Sequence, residues 1–480
     1  MRRIAQEASM QQVGMNAYDI ARMDARLAGV LPAGALYAVG GRVRDELRAA
    51  IDGIVIPIKD LDYIVVGMSL DDLLPRLQTI GRAELAGTSF AVVKMTVDDV
   101  TADIALPRRE RSIGIGHRDF VIESGPDITL EEDLARRDFR MNMIARKIGP
   151  QSVEISQDMV DPYCGEEDVR GRRVDLLRPE AFVEDPLRML RAVQFAARFE
   201  YEITPSTLDA MRVSAGLITS VSCERIRDEI VKLIGAVRPS RGFELMREVG
   251  LLAHVLPEVL EGYGVEQNVW HAYDVYRHNL ETVDAADLND LTLRLAALLH
   301  DVAKPRTKDG PHFYRHEIVG AAMAIEILER LRFPAETVRT VSHLIREHMY
   351  TVDQGMASAA LRRFVRRVGV ENLGRQFALR HADIRGSGLP KREGENERFE
   401  ARVAEIVAER PAFSIKDLAV GGDDAIAVLV DAGRLPSGSR GGPIVGQVLQ
   451  ALFELVTDEP SLNDRDQLLL LLRKLVAELG

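Results

Sequence analysis

Along the chain the spacing of apolar residues changes character near residue 180. Before it, short runs rich in β-branched and aromatic residues predict strands over Leu36–Val39, Leu61–Val66, Ser89–Val97 and Asp103–Leu106, with a helix over Val43–Ala50 after the pair Gly40-Gly41. Beyond it such runs almost vanish. Apolar residues then recur every three or four positions over Pro186–Phe199, Cys223–Ile234, Leu291–His300 and Ile318–Leu331, the period that lines one face of a helix with core-facing side chains. The pattern predicts an α/β head followed by an elongated all-helical body. Gly433–Gly442 and the charged stretch Pro390–Arg398 read as loops, and Arg108–Leu130 as a flexible Gly- and charge-rich loop between two groups of polar motifs. There is no internal repeat.

Composition adds mainly exclusions. At 480 residues, with 46% hydrophobic and 28% charged positions, the chain has the size and balance of a soluble protein of two or more domains. No apolar run approaches the length needed to cross a bilayer. The opening MRRIAQEASMQQ has two arginines with no apolar stretch behind them, so no secretory signal and no membrane association are expected. Cys164 and Cys223 are the two cysteines; they fit no disulfide framework or thiolate zinc site, and point to the cytoplasm. A net charge of −12 excludes a protein that coats nucleic acid by bulk electrostatics, but leaves local phosphate contacts open. Arginine clusters such as Arg136/Arg137 and Arg188/Arg191 are mostly mixed with acids and, taken singly, read as solvated faces.

Chemistry enters at Asp60-Leu61-Asp62, at the head of an apolar strand. Strand alternation turns both carboxylates to one face, where they repel unless a cation lies between them; magnesium is the hard, oxygen-seeking choice. By itself the pair reads as a surface feature of a strand end. Its neighbours change that. Upstream, Gly40-Gly41 leads into a helix whose free N–H groups can meet a phosphate, and Arg44 adds a donor fork. Downstream, Thr101-Ala102-Asp103 puts a third carboxylate in a strand. Together they form a two-metal set for in-line phosphoryl or nucleotidyl transfer, one cation acidifying the attacking hydroxyl and the other stabilising the leaving pyrophosphate.

GGRVRD, DLD, RRDFRMN (136–142), DPYCGEEDVRGRRVDLLR (161–178) and EDPLRMLRAVQFAARF (184–199) occur in that order, followed by Glu224-Arg225 and Glu229. Over about residues 36–235 the chain resembles the bacterial class II CCA-adding tRNA nucleotidyltransferase and poly(A) polymerase family. The resemblance implies a polymerase β-like nucleotidyltransferase head. It gives Asp60, Asp62 and Asp103 the magnesium ions, and Gly40, Gly41 and Arg44 the triphosphate. Arg137, Asp138 and Asn142 fall where the family recognises ribose, and Glu184, Asp185 and Arg188 in its base-selecting EDxxR helix. A carboxylate at Asp185 accepts from the exocyclic amine of C or A while Arg188 donates to the adjacent acceptor, so the protein serves as its own template. The stretch from Asp45 to Asp60 is longer than the family's and predicts an extended hairpin beside the site.

Further on, ALLHDVAKP carries the adjacent pair His300-Asp301, and His278, His316, His348 and Asp383 complete an H…HD…H…H…D order. Any one of these histidines alone reads as a core or helix-surface residue. The order resembles the HD phosphohydrolase superfamily. That resemblance implies one metal on His278, His300, Asp301 and Asp383, with His316 and His348 available for a second. The ion would be a divalent transition metal or Mg2+, and the target a phosphodiester, cyclic phosphate or phosphomonoester. The resulting division is a nucleotidyltransferase head at 27–155, neck and body helices with the base-selecting motif at 156–265, an HD domain at 266–390 and a helical tail at 391–480.

The expected function is addition of CCA to the 3′ end of tRNA from CTP and ATP, with an HD phosphohydrolase activity attached. An A-adding-only or CC-adding-only enzyme, or a poly(A) polymerase, shares these residues. An alternative of another class is a phosphohydrolase on RNA 3′-phosphate or 2′,3′-cyclic phosphate ends with a non-catalytic head.

Overall fold

The computed structural model describes residues 15–86, 92–112, 120–149, 158–353, 355–390, 394–409 and 411–478. The chain divides into two compact units, Met1–Pro257 and Glu258–Gly480.

In the first unit the predicted strands are present with trimmed ends: β1 (Leu36–Val39), β2 (Asp62–Val65), β4 (Val92–Val97) and β5 (Val100–Ala105). The Ser89 end of the predicted Ser89–Val97 strand lies outside the described residues. Further strands are β3 (Arg82–Leu85), β8 (Ala145–Lys147) and β9 (Met159–Val160), and the sheet runs β3-β4-β5-β2-β1-β8-β9. Within this sheet, among the described residues, only β2 and β5 pair in parallel, with Asp62 opposite Asp103. Tyr63, Ile64 and Val65 are buried, as are Ile104 and Ala102 of β5, so the sheet is fixed in register by its apolar residues while its acids sit at one edge of the pair. Val39, Ile64, Leu130, Leu134, Met143 and Ala145 pack as one cluster beneath that edge.

Three expectations are corrected. The segment Arg108–Leu130 contains an antiparallel pair, β6 (Arg108–Ser112) with β7 (Phe120–Ser124), and a helix starts at Leu130. The long stretch from Asp45 to Asp60 forms no hairpin: the helix Gly41–Asp52 takes up half of it, Gly53 ends the helix in the left-handed conformation, and Ile58 bridges to Met15. The body is not wholly helical, because two-residue strands pair Arg173–Val174 with Glu202–Ile203 and Lys308–Asp309 with His312–Phe313. Two-residue strands are too short to leave an alternating pattern.

The helices Leu187–Phe199, Cys223–Ile234 and Pro239–Glu248 follow in the first unit. In the second, Val275–Ala285, Leu291–Leu299, His316–Arg330, Ala335–Glu347 and Leu373–Gly386 surround a polar centre. The later helices Ser358–Val368, Glu395–Ala408, Gly422–Asp431, Pro443–Asp458 and Arg465–Glu478 supply two further apolar cores. Of the predicted loop Pro390–Arg398, the part from Glu395 onward is helix, because Phe399, Val403 and Ile406 extend an apolar stripe back to it. No helix of the described residues is long and apolar enough to cross a membrane.

Candidate active sites

In the head, parallel pairing places Asp62 beside Asp103, and Asp60 precedes them at the mouth of the strand. Burial pushes the Asp62 carboxyl up, Arg137 pulls it down, and Asp60 and Asp103 push it up again. A buried carboxylate pushed up by two neighbouring carboxylates lowers its energy by sharing a cation with them. That repulsion at Asp62 is the observation on which a divalent ion fits here. Asp62, Asp103, Arg108, Arg136 and Arg137 line a cleft of about 290 Å3.

Gly40 turns into this cleft with φ 69° and ψ −134°, outside the range of ordinary L-residues. A Cβ there would lie 2.8 Å from Nη1 of Arg137, so glycine lets the guanidinium close over the turn. Gly41 opens the helix, whose first N–H groups lack intrahelical partners. Arg137 is held by Asp133 at 3.2 Å, and the same buried carboxylate accepts from Arg136 at 2.8 and 2.9 Å and from the backbone N–H of Arg108 at 3.1 Å. Asp133 was not singled out from sequence; its place in the acidic first turn of a capped helix hides it among ordinary helix-start acids.

Asp138 and Asn142 form a chain inside the unit. Asp138 accepts from Arg191 at 2.7 Å, from Asn142 at 2.9 Å and from the N–H of Phe139 at 2.9 Å. Burial works against its charge, but Arg191 and these donors outweigh burial and hold the carboxyl at about 2. Asn142 in turn accepts from Arg44 at 2.8 Å. Arg44 also donates to Asp45 and lies over Phe195 and Phe199. Three of the five N–H donors of Arg44 are thus committed inside the protein, two to Asp45 and one to Asn142.

At the EDxxR helix, Glu184 pairs with Arg178 and Arg188. Arg188 is buried and donates to the carbonyl of Arg136 at 2.6 Å, fastening this helix to the arginine pair of the head. Asp185 caps the helix through the N–H of Leu187 at 3.2 Å and accepts from Arg225 at 2.7 Å. The partly exposed acceptor–donor edge is thus Asp185–Arg225.

The second centre is tighter. Gly386 and Thr282 touch: a Cβ on Gly386 would meet Thr282 Oγ1 at 2.2 Å and its backbone N at 2.7 Å. This approach of helices Val275–Ala285 and Leu373–Gly386 sets His278, one turn before Thr282, 3.2 Å from Asp383, one turn before Gly386. Asp301 lies between two groups. Its Oδ2 is 3.3 Å from Nε2 of both His278 and His300, and its Oδ1 is 3.3 Å from His316 and 3.8 Å from His348. His278 and His300 stand 3.1 Å apart through Nε2, and His316 and His348 3.2 Å. All six sequence candidates converge, and all but Asp383 are nearly sealed from solvent.

The donor set fits cations. Nδ1 of His300, His316 and His348 each faces a backbone carbonyl, of Ala297, Phe313 and Ile345, at 2.6–2.9 Å. A carbonyl only accepts, so Nδ1 carries the proton and Nε2 presents a lone pair toward Asp301. Asp301 Oδ1 is buried without a hydrogen-bond partner. In the protein alone, burial opposes charge on His278, but Asp301 and Asp383 hold its pKa at about 9; burial and His300 push His348 down to about 3. His343 and His381 are committed elsewhere, to the carbonyl of Val368 and to Glu400.

Sequence reasoning missed His271 and Lys304. His271 falls within ligand range of His278 and Asp383 and is held by Asn268 at 3.1 Å; burial and then Lys304 depress it to about 4. Lys304 donates to Asp301 at 2.5 Å and to Gln267 at 2.6 Å. The one available signal was its place three residues after Asp301, one turn on.

Three family profiles match the chain: "Poly A polymerase head domain" over residues 36–175, "Probable RNA and SrmB- binding site of polymerase A" over 200–262 and "HD domain" over 269–383. The multifunctional CCA protein of Azoarcus sp. (strain BH72) is 37% identical over 322 residues, 65% of this chain and 73% of that protein. The protein of the same name from Burkholderia multivorans is 36% identical over 367 residues, 73% and 85% of the two chains. Among solved structures, the Bacillus stearothermophilus CCA-adding enzyme in complex with CTP superposes with a TM-score of 0.64 at 22% identity, covering 92% of this chain and 93% of that one. The Thermotoga maritima CCA-adding enzyme complexed with tRNA gives 0.54 at 18% identity, covering 99% and 98%. At these identities the superpositions show a shared fold.

Proposed function

Because the chain belongs to the multifunctional CCA protein family, we propose that it is an enzyme that adds C, C and A to tRNA 3′ ends from CTP and ATP without a nucleic-acid template, and that its histidine–aspartate cluster is a metal-dependent phosphohydrolase. The observation that carries the first activity is the carboxylate trio of the head, with Asp62 and Asp103 in register and Arg137 facing them. Divalent cations there, magnesium by their all-oxygen donors, supply activation of the 3′ hydroxyl and stabilisation of the leaving pyrophosphate. The chain's own part is to hold and orient. Gly40 and Gly41 offer backbone N–H groups to the triphosphate, Arg137 neutralises its charge, and the Arg191–Asp138–Asn142 chain keeps the ribose side of the pocket rigid. Asp185 supplies the acceptor for the exocyclic amine of C or A. Arg225 is the donor beside it, and Arg188 reaches a base only by leaving the Arg136 carbonyl. The parts that serve this activity are a head at 27–155, neck and body helices at 156–265 and a tail at 391–480, acting on tRNA in the cytoplasm.

The second activity, in an HD domain at 266–390, is supported by the orphaned Asp301 oxygen facing His316 and His348. A centre rich in imidazole nitrogen favours a divalent transition ion over magnesium. The cluster is preorganised to activate water against a phosphoester, with Lys304 able to neutralise the phosphate.

The test is extension of three tRNA transcripts, ending before CCA, after the first C and after both, with labelled CTP or ATP. Completion of all three establishes the reading. Addition of A alone or C alone would move the protein to the split-activity enzymes, long A tails on unrelated RNA to poly(A) polymerase, and no incorporation would leave the HD centre as its only activity.

A further inference from the structure

The cavity over the histidine–aspartate cluster has a volume of about 1130 Å3, far more than a phosphate group fills. Two features of its wall are unused by metal binding. The first is aromatic. Trp270, the single tryptophan of the chain, is 74% exposed yet sits on a pinned loop: its N–H donates to Asn268 Oδ1, which also meets His271, and the N–H of the next residue but one, Ala272, donates to the carbonyl of Ser387. Tyr314, 62% exposed and stacked on His312 at 5.3 Å, lines the same cavity. With Val269, 85% exposed, Trp270 and Tyr314 give the cavity an exposed apolar and aromatic lining that a planar ring can cover.

The second feature is a cation. Arg380 lines the cavity one turn before Asp383 on the same helix. Its Nε is buried with no acceptor, and its guanidinium lies 5.4 Å from the ring centroid of Tyr350. Other arginines of this unit, such as Arg277, Arg306, Arg330, Arg366 and Arg375, have carboxylate partners. Lys304, not Arg380, is the cation in contact with Asp301. The charge at the cluster is thus already served, and Arg380 is spare for a different anion. Tyr350, packed against Phe364 and Phe399, holds the guanidinium in place.

We propose that this cavity is built for a nucleotide end, with Trp270 as the stacking platform for its base and Arg380 as the receiver of a second phosphate, the one 5′ to the group presented to the metal centre. This rests on the phosphohydrolase reading of the cluster. A base stacked on an aromatic ring and a charge-assisted phosphate contact are each worth about tenfold in affinity.

Because Trp270 is the only tryptophan, its fluorescence reads the platform directly. The full-length protein with its metals is titrated with adenosine, with a phosphorothioate-linked ApA dinucleotide that resists cleavage, and with inorganic phosphate. Adenosine and the dinucleotide should quench the emission to saturation and phosphate should not. The dinucleotide should bind about tenfold more tightly than adenosine, and Arg380→Met should remove that advantage while the quench at saturation persists. No quenching, equal affinities, or an advantage that survives Arg380→Met would overturn the proposal. Turnover of bis(p-nitrophenyl) phosphate with Mn2+, present in the wild type and lost in Asp301→Ala, tests the underlying reading separately. Turnover without quenching sinks the nucleotide cavity alone, whereas quenching without turnover sinks the phosphohydrolase reading and with it the claim of a substrate.

Discussion

Replacing Gly40 by alanine tests the head site at the backbone. At φ 69° and ψ −134° a Cβ-bearing residue is strained by about 1–3 kcal/mol, and relief requires the turn between β1 and the following helix to shift. The new methyl would also stand 2.8 Å from Nη1 of Arg137. That atom is the end of a flexible chain, so it gives way at little cost in stability, but it leaves the cleft. Arg137 is the strongest counterweight to burial at Asp62. Losing one charge-assisted contact to substrate, at about 1.5–3 kcal/mol, lowers kcat/KM for CTP by about ten- to a hundredfold. Gly53→Ala is the control, since Gly53 has φ 64° in the left-handed helical region with nothing within 4 Å of a built Cβ. It should cost about 1 kcal/mol and leave incorporation unchanged. Both residues lie in the first unit, so one urea transition followed by circular dichroism compares them, alongside labelled CTP incorporation. Equal stability and equal rates for the two variants would refute the argument. So would a fall in phosphodiesterase activity matching the fall in incorporation, because the effect would then be global.

Asp60→Ala should abolish nucleotide incorporation and spare metal-dependent phosphodiester hydrolysis, while Asp301→Ala should do the reverse; assaying both activities on both variants checks the assignment. Gly386→Ala forces its Cβ into the backbone of Thr282, so the helices carrying His278 and Asp383 must part. Mn2+ affinity by calorimetry should fall at least tenfold, and an unchanged affinity would remove His278 and Asp383 from the ligand set. Asp138 has its folded pKa depressed to about 2 from 3.8. Its contribution is therefore complete above about pH 4 and is lost as pH falls toward 2, amounting to about 1 kcal/mol by pH 3. Asp138→Asn should flatten the urea midpoint between pH 5 and 3 by that amount, and a variant with the wild-type slope would show that the carboxylate is not held by Arg191 as described.

How far the sequence could be read depended on whether a signal was local. The DxD and HD motifs are close neighbours in sequence at the ends of regular elements, Asp60-Leu61-Asp62 where β2 begins and His300-Asp301 just past the helix Leu291–Leu299, and that proximity is enough to place each pair. The partners of those residues are not local. Asp133, which anchors Arg136 and Arg137, looks like any acid in a helix's first turn, and only the fold brings the N–H of Arg108 onto it. Arg44 and Arg188 show the opposite case. A motif named their type and position, but each guanidinium had several acceptors within reach, and packing against Phe199 in one case and the Arg136 carbonyl in the other decided which it took. The β6–β7 pair was hidden because β6 is entirely polar and carries no apolar alternation, and the three apolar residues Phe120–Ile122 of β7 are too short a run to mark a strand. Gly386 makes the same point from the side of packing. In sequence it is one glycine at a helix end, whereas in the fold its missing side chain sets the distance between two helices and hence between His278 and Asp383. The ligands of such a centre are legible as a list of residue types, but the spacing that makes them a centre is written in the small residues that let their helices meet.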